Sequence, residues 1–439
     1  MADRVRYAVV GLGSRSEMFT SALLGTYAEQ CELVGFCDVN ATRMAYYNRL
    51  FADRFGAKPV PCYDAADFRT MLDEQRVDVL IVTSVDRTHH RYIIGGLDHG
   101  CRVITEKPLT VDAVKCQAIL DATRRTGQRV RVAFNYRYAP RNSMVKRLIA
   151  GGAIGPVLSV HFEWLLDTRH GADYFRRWHR DKRNSGGLMV HKASHHWDLV
   201  NWWLGSRPET VYGVGRLAFY GRENAEERGV TRFYERAHGS EAARHDPFAL
   251  DLASDPKLRG LYLEAEAEDG YLRDQSVFGS NISIEDDMAV LASYASGATM
   301  TYHLTAYSPW EGYRVMFNGT KGRLELDVTE TSYVSGSRDD INQPDLPGRP
   351  LPAAVTRTRL LLRPLWEPPR EIEVPEEGAG HGGGDVRMLA DLLGPGRQDD
   401  PLGRASDHVD GALAILPGIA ANRSFATGAP VAIADLADL

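Results

Sequence analysis

No run of eighteen consecutive apolar residues occurs in the 439-residue chain, so it contains no segment with the character of a transmembrane helix. The opening Met1 to Tyr7 leads straight into an apolar strand, without the apolar core or small-residue cleavage site of a secretory signal, and a cytoplasmic protein is expected. Cysteine is scarce. The five present, Cys31, Cys37, Cys62, Cys101 and Cys116, fall in the first third with no Cys-x-x-Cys spacing, which speaks against both a zinc ribbon and a disulfide framework. They read as reduced, mostly buried small hydrophobes. Positive charge is not in excess either: 52 Lys and Arg against 58 Asp and Glu leave a net charge of −6, which argues against nucleic acid as the main partner and for small molecules. Internal repeats and a low-complexity tail are also lacking. What remains, 44% hydrophobic and 25% charged residues, is the composition of a folded globular protein, too long for one core and suited to two domains.

Up to about residue 138 apolar strand-like runs alternate with helical stretches: Tyr7 to Gly11, Glu32 to Cys37, Val77 to Thr83, Arg102 to Ile104 and Val130 to Ala133 are the strands. That alternation predicts βαβ units on a doubly wound parallel sheet, a Rossmann domain over residues 1–138. Residues 139–439 then read as an α/β domain with a large, mostly antiparallel sheet. Its expected elements are a helix over Asn142 to Ala150, a strand over Pro156 to Trp164 and a helix over Gly187 to Leu204. Alternating strands follow at Ile284 to Tyr294, Ala298 to Ala306, Tyr313 to Asn318 and Arg323 to Asp327. Gly221 to Arg273 is charged and irregular, an insertion that serves as a lid or as a solvated surface excursion. Helices near Asp385 to Leu393 and over 407–427 close the chain.

The first strand runs into Gly11-Leu12-Gly13-Ser14-Arg15-Ser16 and a helix-compatible segment. Two glycines there let the backbone turn sharply and approach a pyrophosphate at a helix N-terminus, where free N–H groups favour anions. Ser16 replaces the third small residue of this fingerprint. Asp38 ends the next strand, where a carboxylate accepts hydrogen bonds from ribose hydroxyls and repels a 2′-phosphate, so NAD is favoured over NADP; a plain helix cap is its other reading.

Thr105-Glu106-Lys107-Pro108, after the fourth of these strands, resembles the hallmark of the Gfo/Idh/MocA family of sugar and inositol dehydrogenases. The likeness extends to Ser84 to His89, similar to the family's Thr-Pro-x-x-x-His turn, and to Asn135-Tyr136-Arg137-Tyr138-Ala139-Pro140, similar to its Asn-x-Arg-Phe-x-Pro. Gly155-Pro156-Val157 and Asn318-Gly319-Thr320-Lys321-Gly322-Arg323-Leu324-Glu325 match further turns, leaving out mainly 221–273 and 333–369. The resemblance implies cofactor contacts from Gly11, Gly13, Ser14 and Arg15 in the first loop and from Asp38 and Arg43 after the second strand. Ser84, His89, Glu106, Lys107 and Asn135 complete that set. It also implies reversible hydride transfer, in which a Lys and a His take the proton of a ring hydroxyl.

Gly186 to Asp198 corresponds to the family's Gly-Gly-x-Leu-x-Asp-x-Gly-x-His-x-x-Asp segment, with His191 in place of the usual aspartate and Ala193 in place of glycine. His191 and His195, four apart, share one face of a helix. Lys107 is expected to activate the hydroxyl, His195 to accept its proton and His191 to share or replace that duty. His196 reads as a packed helix residue and Asp198 as a group that fixes a neighbour. The histidine pair also has the spacing of a helical zinc site, with His381 or Asp385 as a third donor, but the Glu of a His-Glu-x-x-His motif is absent and no metal is expected. His381 is also read as reaching over the substrate on a glycine-rich loop, or as part of a plain linker. Arg177 and Trp178, within Tyr174 to Arg180, clamp a polyol or form an exposed Arg-rich hinge. Tyr136 and Arg137 sit at the domain junction, where ligand pockets form.

The reading is therefore an NAD-dependent dehydrogenase of a sugar, glycoside or cyclic polyol, assembled as a homodimer or homotetramer, with neither nucleic acid nor membrane as partner. Two others stay open: a lyase or glycosidase that retains its NAD through an oxidation, elimination and reduction cycle, and a non-catalytic NAD or sugar sensor.

Overall fold

The computed structural model describes residues 4–336, 357–375, 383–396 and 399–439. Six short strands, β1 (Val5–Val10), β2 (Cys31–Asp38), β3 (Cys62–Asp64), β4 (Val79–Val82), β5 (Arg102–Thr105) and β6 (Val130–Val132), form a parallel sheet in the order β3-β2-β1-β4-β5-β6. Helices cover both of its faces, so β4, Val-Leu-Ile-Val, is buried throughout and reads as a continuous apolar run. The strand order reverses between β1 and β4. Their carboxyl ends diverge there and open the crevice in which such sheets bind nucleotides.

The second sheet has nine strands in the order β14-β13-β12-β11-β7-β10-β9-β8-β15. Its members are β7 (Val157–Asp167), β8 (Pro208–Arg216), β9 (Asp287–Tyr294), β10 (Thr299–Ser308), β11 (Glu311–Gly319), β12 (Gly322–Thr331), β13 (Arg357–Pro364), β14 (Arg370–Ile372) and β15 (Val431–Ala432). All neighbours pair antiparallel except β7 and β10, which run parallel. Alternate residues of β10 and β12 are buried, so one face meets the core and the other is left open. The buried face packs on the helices Ser194–Leu204 and His408–Thr427.

Four features depart from the sequence reading. Strands β3, β8, β13, β14 and β15 are additional to those expected. The helix over 187–204 is two pieces, Leu188–His191 and Ser194–Leu204, with a turn at Lys192 and Ala193. The excursion occupies the whole of 217–286 between β8 and β9, and its two ends are pinched together where Ala218, Phe219 and Tyr220 donate backbone N–H groups to the Asp286 carboxylate at 2.7–2.9 Å. Finally, Met388, Leu389 and Leu393 of the helix Gly384–Leu393 are buried in the core beneath the first sheet, so the end of the chain returns to complete the nucleotide-binding unit.

Trp203 fastens this frame. Fully buried on the helix Ser194–Leu204, it meets Phe317 edge-on at 5.4 Å and donates its indole N–H to the Asn142 carbonyl at 3.0 Å. Trp203→Ala is expected to lower the unfolding free energy by about 3–5 kcal/mol in denaturant titration; a loss below about 1 kcal/mol would show that the helix is held elsewhere.

Candidate active site

β1 delivers the chain into the loop Gly11 to Arg15 at the mouth of the crevice. Gly11 has φ +87°, and a Cβ on it would lie 2.3 Å from the Ser84 Cα, so only glycine lets this loop pass against the turn after β4. Gly13 faces open space. At the end of β2 the buried Asp38 carboxylate accepts from Leu12 N at 2.5 Å and Asn40 N at 2.9 Å, with Arg43 Nη1 at 3.8 Å. Ser14 Oγ and Asn135 Oδ1 are buried without a hydrogen-bond partner among the described residues. A glycine loop with room above it, a carboxylate at the ribose position and two unsatisfied polar atoms along the crevice are a fit for a dinucleotide.

Arg15 closes one wall of the crevice. Its Nε donates to Glu106 Oε1 at 2.6 Å and its Nη2 to Asp385 Oδ1 at 3.4 Å, while Asn135 Nδ2 donates to the same Asp385 oxygen at 2.7 Å. Segments far apart in the chain are thereby tied across the cleft.

Beyond this network lies Lys107, directly after β5. Its Nζ is 3.3 Å from Nε2 of His191, whose Nδ1 lies 2.5 Å from Asp86 Oδ2. Burial pushes the Lys107 ammonium down to about 8, against the pull of Glu106 and Asp86. Burial likewise drives His191 well below the usual imidazole range, with Lys107 adding to the effect, and drives Asp86 well above the usual carboxylate range. The result is a hydrogen-bonded chain of three titratable groups whose proton affinities burial shifts from their ordinary values. His179 packs edge-on against His191 with ring centroids 4.2 Å apart, and Asp86, His179 and His191 each offer a donor atom within 4.8 Å of the others. Such a set can hold a divalent cation, although both nitrogens of His191 already have partners in the Asp86 and Lys107 contacts.

The insertion covers the far side of the crevice. Its segment Lys257 to Asp269 lies over the cofactor loop: Ser14 N donates to Tyr262 Oη at 3.1 Å, Asn40 Nδ2 to the Ala265 carbonyl at 2.8 Å, and Thr42 Oγ1 to Glu268 Oε1 at 2.5 Å. Arg43 pairs with Asp269 at 2.7 Å, Lys257 with Glu17 at 2.5 Å, and Leu261 is fully buried in the core of the nucleotide-binding unit.

Comparison with known proteins matches residues 5–134 to the oxidoreductase family's "NAD-binding Rossmann fold" and residues 146–433 to its "C-terminal alpha/beta domain", the two halves of Gfo/Idh/MocA proteins. The chain belongs to the Gfo/Idh/MocA oxidoreductase family. It is 35% identical over 443 residues, 97% of both chains, to the Bacillus subtilis (strain 168) protein called "Putative oxidoreductase YteT". A scyllo-inositol 2-dehydrogenase (NAD(+)) of the same organism is 26% identical over 270 residues, 58% of this chain and 72% of that one. In fold it resembles the aldose-aldose oxidoreductase of Caulobacter crescentus, with a TM-score of 0.60 at 17% identity, covering 98% of this chain and 100% of that one. NAD is the cofactor for which this family member's crevice is built.

Within the family frame, several expected site residues do other work. The His89 ring lies between the two turns flanking the crevice, its nitrogens 2.8 Å from the Pro108 carbonyl and 2.9 Å from that of Ser84, and the neutral ring that burial favours donates to one of them. Arg137 is turned from the substrate. Its guanidinium is buried on Asp198, with contacts of 2.5–3.1 Å, and Nη2 also reaches Asp410 at 3.1 Å. Because the helix breaks at Lys192, His191 and His195 do not share a continuous helical face; His191 joins Lys107, whereas His195 packs on Tyr136 with centroids 4.5 Å apart. His196 packs on Trp164 at 4.1 Å and meets the Tyr302 hydroxyl at 2.6 Å. Asp385 is a partner of Arg15 and Asn135, and His381 lies outside the described residues. Trp178 stacks on His179 and lies 6.1 Å from His191, at the rim of the proton chain.

Sequence reading missed Asp86, His179, Lys192 and Tyr262. Asp86 was visible inside the Ser84 to His89 motif, and Lys192 within the Gly-Gly segment, where its ammonium lies 4.9 Å from the Trp164 ring centre. Tyr262 carries no sequence signal, since only folding brings it to Ser14.

Removing one partner of a buried ion pair strands the other. Arg137→Met should therefore cost about 3–5 kcal/mol of stability in denaturant titration, and adding Asp198→Leu should recover most of it; a double variant no more stable than the single would contradict a pair held apart from substrate.

Proposed function

We propose that this protein oxidises a ring hydroxyl of a sugar, glycoside or cyclic polyol, with Lys107 as the group that takes the hydroxyl proton. The observation that carries the reading is the buried hydrogen-bonded chain Lys107–His191–Asp86 at the inner end of a crevice fitted for NAD. Bound NAD supplies the acceptor for the hydride leaving the substrate carbon. Lys107 in its neutral form accepts the hydroxyl proton at Nζ, and His191 Nε2 holds the lysine's orientation. Asp86 fixes the His191 ring through Nδ1, the role a carboxylate plays behind a catalytic imidazole. Trp178, at the rim, offers a flat surface to the apolar face of a ring. The open face of the nine-stranded sheet, with Leu158, Val214 and Leu291 exposed, suits a second subunit and supports a homo-oligomer.

With Lys107 near 8 and active when deprotonated, kcat/KM for oxidation should rise with pH through about 8 and then level. Lys107→Ala should lower turnover by about 10²–10⁴-fold, read as NADH absorbance with a panel of glycosides and inositols. A flat pH profile together with unaltered turnover in Lys107→Ala would remove Lys107 from the reaction.

The segment Lys257 to Asp269 favours a second reading, in which NAD stays bound and the sugar is oxidised, relieved of a substituent by elimination, and reduced again. Protein purified without added cofactor should then release NAD on denaturation and form product with no net NADH. Empty protein that exchanges NAD freely would exclude that cycle.

A further inference from the structure

The helix His170–Arg176, the residue that follows it, and the insertion meet at an imbalance of charge. Three guanidinium groups converge on one carboxylate: Asp173 is contacted by Arg273 at 2.8 Å, Arg177 at 3.1 Å and Arg176 at 3.5 Å. Burial alone would raise the Asp173 carboxyl, yet the three guanidiniums hold it well below the usual carboxylate range. Arg176 shows the same surplus from the other side, since its two terminal nitrogens are buried without a hydrogen-bond partner among the described residues. Cations concentrated and desolvated in this way call for an anion that the protein does not itself supply.

Of the three, Arg176 and Arg273 are enclosed and Arg177 is not. Its Nε is committed to Asp173, its side chain keeps 26% of its surface exposed, and among the described residues its two terminal nitrogens meet no acceptor. The group lies close enough to the proton chain to act electrostatically on Asp86, His179 and His191. It is held over the Tyr174 ring at 5.4 Å, and Tyr174 is itself 5.5 Å from His191. A ring whose hydroxyl meets Lys107 would thus carry its remaining substituents towards Arg177.

We propose that the substrate is an acidic sugar, a cyclic polyol bearing a carboxylate, and that Arg177 receives that carboxylate on its two free nitrogens. This assignment rests on the dehydrogenase reading above for the position of the ring. A planar monoanion fits one accessible guanidinium edge, which matches carboxylate geometry in two parallel hydrogen bonds. A dianionic phosphate would need a second exposed cation, and the two neighbouring guanidiniums are enclosed.

The test pairs galacturonate and glucuronate with galactose, glucose and their 6-phosphates, offered to the NAD-loaded protein with two readouts, NADH absorbance and quenching of tryptophan fluorescence on binding. The acids should bind about 10- to 100-fold more tightly than the neutral sugars, less so at high salt. Arg177→Ala should abolish that ratio, and Arg177→Lys, which keeps the charge without the fork, should retain part of it. Equal binding of acid and neutral sugar, preference for the phosphates, a ratio untouched by Arg177→Ala, or no binding of either acid would each overturn the proposal. Arg177-dependent acid binding without NADH would uphold it and count against the dehydrogenase reading; oxidation of neutral sugars without preference would do the reverse.

Discussion

Lys107 is half-buried just beyond the end of β5, and a cation so placed persists only where its surroundings make up for the hydration it loses. Nearly every feature of the cleft serves that condition. Glu106, although it is also paired with Arg15, and Asp86, reached through the His191 ring, both pull the lysine towards its charged form. The His89 ring packs between the carbonyls of Ser84 and Pro108, where the turn carrying Asp86 meets the turn carrying Lys107. The break at Lys192 sets His191 on the side of the cofactor crevice instead of in line with His195.

The exchange of the family's usual aspartate for His191 is chemically coherent once Asp86 is in view. A carboxylate directly on Lys107 would hold the ammonium charged. An imidazole between the two keeps a hydrogen bond to the lysine while moving the negative charge one ring further away, which lets desolvation dominate and brings the lysine towards neutral pH. The acid has been displaced outward by one group, and it has not been lost.

The parallel sheet was legible because its strands are buried on both faces and therefore read as apolar runs between helices of ordinary length. Two of the strands that escaped notice violate the pattern for a physical reason. β8 carries Gly213 and Gly215 because the Phe425 ring presses on it, and a Cβ at either position would fall 2.6–2.7 Å from that ring; the close approach that builds the core erases the alternation that announces a strand. β13 lies towards the sheet's edge and is flanked by arginines. For the site, Lys107, His191 and the glycine loop were legible because each belongs to a local motif. Arg137 and His89 were equally legible, but a motif records that a residue matters and says nothing about which way its side chain turns. Contacts such as Ser14 with Tyr262, 248 residues apart, exist only in the folded chain.

That last contact bears on how the cleft works. The segment from Lys257 to Asp269 is attached to the nucleotide-binding unit by a buried leucine, two ion pairs and several hydrogen bonds spread along the loop after β1 and the start of the helix Ala41–Phe55. None of these is strong alone, since partly exposed pairs contribute about 0–1 kcal/mol each. They share one short stretch of backbone, however, and such a stretch opens as a unit with a free energy closer to their sum than to any one of them.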